Sequence, residues 1–387
     1  MGGADDPYLS YAVPSEPAPA GHYRLFGADV SYYTAKIDAW LAYKRIPHRR
    51  ELATRDVFTS EILPRIGYPV IPVLVAPDGT TLQDTSEIID ALEAAHPQPS
   101  TVPADAAGRF LSRLFELFCD EWIKVPALHY RWHYDADFAA LEFGRNNDPA
   151  LPPARQREIG GRIAARFSAW CTPLGVTEAT IPAIEADYLD LLQRLDAHFA
   201  TSPTLLGGPP SLCDFALYGP FHAHLLRDPV SGRVMRSRAP HVVHYLETLR
   251  DAPAPSATAP TVDIAALPAT LWPVLCLLAR DYVPILVAQH RALQTWLAGA
   301  PAGEVPRHIG SHRVTFGRGT AHETHGERAL FTYDSWMLQR VLEVYVGAAP
   351  AGRAAIDGLC ARIGAGALLT LDTSRRLRRE RFRLVHG

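Results

Sequence analysis

Pro69-Val70-Ile71-Pro72-Val73-Leu74-Val75, followed closely by Asp78-Gly79, Thr81-Leu82 and Asp84-Thr85, is the stretch that decides the fold. The run is β-branched and too short for a helix, so it reads as a strand. Asp78-Gly79 reads as a two-residue hairpin turn, which makes Thr81-Leu82 an antiparallel partner. Asp84 and Thr85 then open a helix carrying Ile88, Ile89, Ala91 and Leu92, which stops before Pro97.

Working upstream, Tyr23-Arg24-Leu25-Phe26-Gly27 is a short strand ending in glycine. Ala35, Ile37, Leu41 and Ala42 recur at helical spacing after Ser31, and Lys44, Arg45 and Pro47 close that helix. Glu51-Leu52 belongs to a second strand, paired parallel with the first in a β-α-β unit. The order β-α-β, β-hairpin, helix is that of a thioredoxin-like domain, here residues 23–98.

Downstream, residues 104–250 show no strand pattern. Helices are expected over about 105–123, 127–140, 154–171, 183–200, 211–227 and 240–250, with Leu189, Leu191, Leu192, Leu195 and Phe199 as an apolar stripe. This half is an all-helical bundle. Residues 251–263, with a Pro/Ala-rich run from Pro253 to Pro260, read as a linker. Residues 264–387 form a mostly helical extension. It holds a helix from Leu271 to Leu297 bent at Pro284, a Gly/His-rich stretch read as a mobile loop, and a helix from Asp334 with Trp336, Met337, Val341, Leu342 and Tyr345 on its apolar face. The fold class is thus α/β plus all-α, with an extension.

The 387 residues suit two domains plus this extension, and at 48% apolar they can bury large cores. A net charge of −3 argues against a surface built for nucleic acid or anionic lipid. Residues 1–22 contain Asp5, Asp6, Glu16 and several prolines and no apolar segment, so they read as a flexible leader rather than a signal peptide. Leu271 to Val287 is interrupted by Pro273, Arg280, Asp281 and Pro284, which excludes a membrane span. The scattered Cys119, Cys171, Cys213, Cys276 and Cys360 read as reduced, buried thiols of a cytoplasmic protein.

Four motifs in order carry a family resemblance. Ser31-Tyr32-Tyr33-Thr34-Ala35-Lys36 is similar to the Ser-Pro-Tyr-Ser-x-Lys pattern of serine-type cytosolic glutathione transferases, with Tyr32 where many relatives have proline. Val70-Ile71-Pro72 is similar to the family's Val-Pro before the third strand. Asp84-Thr85 matches its Glu-Ser pair, and Ser211-Leu212-Cys213-Asp214 its capping box. Over residues 23–250 the chain therefore resembles these transferases.

The resemblance implies that Ser31 is catalytic, donating a hydrogen bond to the glutathione sulfur while the helix dipole favours the thiolate. It implies a cis Pro72, with Ile71 pairing with the peptide backbone of glutathione. It also implies that Asp84 takes the γ-glutamyl ammonium and Thr85 its carboxylate. Each has a structural reading too: Ser31 and Asp84-Thr85 are favoured helix caps, and Tyr32 and Tyr33 are rival hydroxyls. For Ser211 and Asp214 the structural reading stands alone. The expected partners are glutathione as co-substrate and a small apolar electrophile, in a homodimer paired through both domains.

The aromatic segment from Trp122 to Tyr134 suggests a wall for the second substrate, with Trp122, His129, Tyr130 and His133 as pocket candidates beside an ordinary packing role. His129/His133 and His241/His244 share helix faces without an acidic or thiol third ligand at motif spacing, so no metal site is expected. Arg375 to Arg383 is a basic run read as a solvated last helix or tail. Two other functions fit the same residues: a non-catalytic glutathione-transferase-like scaffold, and a glutathione-dependent isomerase.

Overall fold

The computed structural model describes residues 18–249, 260 and 262–387. Residues 1–17 of the expected leader and 251–259 and 261 of the expected linker lie outside the described residues.

The N-terminal domain runs β1 (Tyr23–Gly27), α1 (Tyr32–Tyr43), β2 (His48–Leu52), α2 (Arg55–Val57), a π-helical turn (Phe58–Ile62), α3 (Leu63–Ile66), β3 (Val73–Val75), β4 (Thr81–Gln83) and α4 (Thr85–Ala95). Its sheet has the order β2-β1-β3-β4, with β1–β2 parallel and the other pairs antiparallel. This is the thioredoxin-like fold. Strand alternation sends Leu25 and Leu74 into the main core with Ile37, Trp40, Ile88 and Ile89. Phe26 and Val73 face the other way, into a smaller cluster with Val57, Ile62 and Ile66.

Two local expectations change. β3 begins at Val73 rather than Pro69, because Pro72 has no N–H to give to a ladder. The β3–β4 loop is three residues, Pro77–Gly79, since Ala76 N donates to Thr80 O at 2.8 Å and Gly79 takes the left-handed position at φ 90°.

The bundle comprises α5 (Ala106–Leu117), a π-helical stretch (Phe118–Trp122), α6 (Lys124–His133), α7 (Ala136–Asn147), α8 (Pro153–Ser168), α9 (Ile181–Phe199), α10 (Leu212–Pro220), a second π-helical stretch (Phe221–Leu226), α11 (Pro229–Arg238) and α12 (Pro240–Leu249). The helix expected over 127–140 breaks between His133 and Ala136, and α11 was not legible. Ser211 caps α10 in a capping box: its backbone N–H donates to Asp214 at 2.8 Å.

The extension is α13 (Leu271–Gly299), β5 (Gly303–Glu304), β6 (His308–Phe316), β7 (Thr324–Phe331), α14 (Thr332–Val346), α15 (Pro350–Ile363), β8 (Arg378–Glu380) and β9 (Arg383–His386). The Gly/His-rich stretch is therefore a β6–β7 hairpin and not a mobile loop. The basic run is no helix or tail: it forms β8 and enters β9, in a sheet of order β5-β9-β8. α13 is long and apolar enough to cross a membrane, but 67% of its most apolar stretch is buried inside the protein, as in a core helix. Cys276 on it is exposed, unlike the other four cysteines.

The extension is part of the body. Trp336, Met337, Leu338, Val341 and Leu342 of α14 are buried in the same core as α5 and α13. At about 2 kcal/mol per side chain, that face contributes on the order of 10 kcal/mol as an upper estimate. α14 and α15 both pack along α5.

Candidate functional site

The turn from β1 into α1 sets the first part of the site. Gly27 is required there, because a Cβ would stand 2.1 Å from Thr34 Cγ2. Ser31 is the N-cap of α1, and its Oγ accepts from Thr34 N at 3.2 Å. A hydroxyl that accepts one bond keeps its own proton to donate. The loop is held from behind by buried Arg131, whose Nη1 donates to Val30 O at 2.9 Å while Nε and Nη2 grip Asp228 at 2.6 and 2.8 Å. His224 stands beside it, its pKa pushed well down by burial and by Arg131.

The rival hydroxyls turn into the bundle. Tyr32 and Tyr33 both donate to the carbonyl of Asp120 at 3.0 Å. Burial, then the charge of Glu121, raises both phenols well above their ordinary range, so they stay protonated. Below them the ammonium of Lys36 is fully buried, 2.7 Å from Glu116, 2.6 Å from Asp120 and 3.2 Å from Thr85 Oγ1. Thr85 thus spends an acceptor lone pair on the core.

Ile71–Pro72 is a cis peptide bond, with Pro72 buried and Ile71 half-buried. Asp84 follows β4 at φ 81°, outside the usual range for a residue with a side chain, and caps α4 by accepting from Ser86 N at 3.0 Å and Glu87 N at 3.4 Å. Its other oxygen, Oδ2, accepts from Tyr333 and lies 3.3 Å from Arg379 Nη1. Arg379 also donates to Gln83 Oε1 at 2.6 Å. Two residues of the extension therefore stand on Asp84.

The pocket candidates are spread over two places. Trp122 is stacked on Tyr282 at 5.3 Å and on Phe316 at 5.7 Å, both from the extension. A cavity beside it, lined also by Phe118, Tyr188 and Asp281, has a volume of about 20 Å³, room for about one water. Tyr130 packs on Tyr188 of α9, and His129 Nε2 donates to Glu185 at 2.8 Å while its Nδ1 lies 3.2 Å from His133 Nδ1. The cavity beside Trp122 is lined by none of Ser31, Asp84, His129, Tyr130 and His133. Among the described residues no group of three or more His, Cys, Asp or Glu is arranged to hold a metal.

Tyr68, Gln83, Tyr333 and Arg379 were missed. Gln83 directly precedes the Asp84-Thr85 pair, the one available signal; the other three come together only through the fold. A second missed cluster ties bundle to extension. Asp334 accepts from Tyr282 at 2.8 Å and from Arg328 at 2.9 Å and shares a proton with Glu121, which Lys124 also meets. Burial raises Glu121 well above the usual carboxylate range. Burial acts the same way on Asp334, but Arg328 and Lys124 outweigh it and hold that group low, so Glu121 carries the proton.

Residues 25–100 match the family profile described as glutathione S-transferase, N-terminal domain. Similar solved structures include a glutathione S-transferase from Rhodospirillum rubrum F11, 17% identical, covering 64% of this chain and 97% of its own, with a TM-score of 0.40. Another, from Methylobacterium radiotolerans in complex with glutathione sulfonate, is 23% identical over 62% of this chain and 96% of its own, at 0.36. A family member from Pseudomonas fluorescens Pf-5 with two glutathione molecules bound is 18% identical over 62% and 92%, at 0.38. No protein of curated function matches significantly. On its sequence motifs, its sheet topology and this profile match, the N-terminal domain of the chain belongs to the glutathione S-transferase family.

Proposed function

We propose that the chain is a glutathione transferase-like enzyme in which Ser31 supports the glutathione thiolate for attack on a small apolar electrophile. The observation that carries this reading is Ser31 itself: an N-cap hydroxyl with its proton free, at the positive end of α1. In this reading the backbone of Ile71 before Pro72 pairs with the peptide, Asp84 takes the ammonium and Thr85 at the start of α4 takes the carboxylate. The residues suit such a ligand, since Asp84 already holds a cation, Arg379. Ser31 orients and stabilises the sulfur anion and does not itself become the nucleophile.

The test is retention on immobilised glutathione together with conjugation of a generic electrophile. Retention with turnover that falls at least ten-fold in Ser31→Ala is expected; turnover unaffected by that change contradicts the role of Ser31.

A non-catalytic binding or scaffold role is the second reading, favoured by Tyr333 and Arg379 standing on Asp84. Retention without turnover would support it. As for assembly, α14 and α15 lie along α5, and Arg340 of α14 pairs with Asp90 of α4 at 2.8 Å. Residues of the extension thus cover part of one helix from each domain, and we propose a monomer in place of the expected homodimer. Light scattering should give a mass near 42.5 kDa, and twice that would contradict it.

A further inference from the structure

The β8–β9 hairpin reaches back from the end of the chain onto the residues around Asp84. Arg379 is its centre: the side chain is only 6% exposed, with Nη1 3.3 Å from Asp84 Oδ2, Nη2 2.6 Å from Gln83 Oε1 and Nε 3.1 Å from Glu87. Tyr68, close before Pro72 in the chain, has its hydroxyl 2.9 Å from the carbonyl of Phe382, and Arg383 lies over its ring at 3.9 Å. Phe382 packs on the same apolar cluster as Val70 and Ile71. The hairpin thus covers both halves of the peptide-binding edge, the cis-proline side and the carboxylate side.

We propose that this hairpin is an intramolecular occupant of the site, with the Arg379 guanidinium standing on Asp84 where an incoming ligand's ammonium would stand. The inference rests on the reading of Asp84 as the ammonium acceptor and goes beyond it. A guanidinium and an ammonium make the same demand on a buried carboxylate, so the two compete and the ligand gains entry only as the hairpin lifts. The proximity of Glu87 and Gln83 to the same guanidinium gives the occupant contacts that a single ammonium cannot duplicate.

The hairpin is built to lift. Its strands are three and four residues long and mostly half-exposed. Its turn is made by Arg381 at φ 47° and Phe382 at φ 66°, left-handed conformations that residues with side chains adopt at a cost. Its rear stays anchored, because Gln339 brackets Leu377 at 2.9 and 3.1 Å and β9 pairs with β5. Release of the tip therefore leaves α14 in place.

The experiment is calorimetric titration with glutathione of the full chain, of Arg379→Ala, and of Arg379→Ala combined with Asp84→Asn. Arg379→Ala should bind at least about ten-fold tighter than the unmodified chain, a gain lost in the double variant. Phe382→Ala, which loosens the tip without touching Asp84, should shift affinity the same way and serves if Arg379→Ala does not fold. Hydrogen exchange at residues 379–385 should accelerate when the unmodified chain is saturated. Binding by the unmodified chain that is as tight as, or tighter than, that of both single variants overturns the occupant and leaves the glutathione reading standing. Absence of binding in every folded variant overturns both.

Discussion

The hydroxyl of Tyr333 donates to the carboxylate of Asp84 across 249 residues of sequence, joining the first turn of α14 to the cap of α4. With Asp84 buried, this is a charge-assisted bond worth about 1.5–3 kcal/mol. Tyr333→Phe should lower the unfolding free energy by about 2 kcal/mol in urea, because Asp84 keeps Ser86, Glu87 and Arg379. An unchanged midpoint would mean that the extension does not rest on Asp84 in solution.

Glu121 and Asp334 share one proton, yet the two should respond very differently to amide substitution. Glu121→Gln replaces a protonated acid with another donor and should cost about 1 kcal/mol or less. Asp334→Asn strips fully buried Arg328 of the anion it is paired with and should cost about 3–5 kcal/mol. Equal losses on chemical unfolding would show that the proton sits elsewhere.

Asp120 gives a pH dependence of definite sign. Burial raises it first, the Lys36 charge opposes that and Glu116 adds to it, leaving the group at about 7. The ordinary carboxyl value is about 4, so between those values the folded chain holds a proton that the unfolded chain has lost. That contribution to stability declines as pH rises from about 4 to about 7. Neighbouring Glu116 is held low, at about 2, by Lys36, Arg113 and Arg340 acting against burial, and titrates outside that window. Asp120→Asn should flatten the decline in urea midpoints; identical slopes would contradict the raised value.

The body of the fold was legible because its signals are local. Val73-Leu74-Val75, the cap at Asp84 and the Ser211–Asp214 box each announce themselves within a few residues. The extension was not. β6 has the burial of a mostly exposed strand, and His308-Ile309-Gly310-Ser311-His312 carries no apolar alternation to mark it. It is held from outside, as where Pro173 O accepts from Ala329 N of β7 at 2.8 Å. Arg379 sits in a run of arginines that reads as solvated surface, and it is buried only because Gln83, Asp84 and Glu87 from the far end of the chain receive it. The aromatic segment from Trp122 was legible as apolar, but its partners Tyr282 and Phe316 were not, so a wall could not be told from packing.

The most direct test of the central claim is a thiolate absorbance titration of glutathione saturating the full chain, compared with Ser31→Ala. Free thiols titrate at about 8.5. The account predicts that bound glutathione shows the thiolate band at distinctly lower pH in the unmodified chain and at a value shifted back towards that of the free thiol in Ser31→Ala. A band that titrates at the free value in the unmodified chain, with glutathione demonstrably bound, would contradict it.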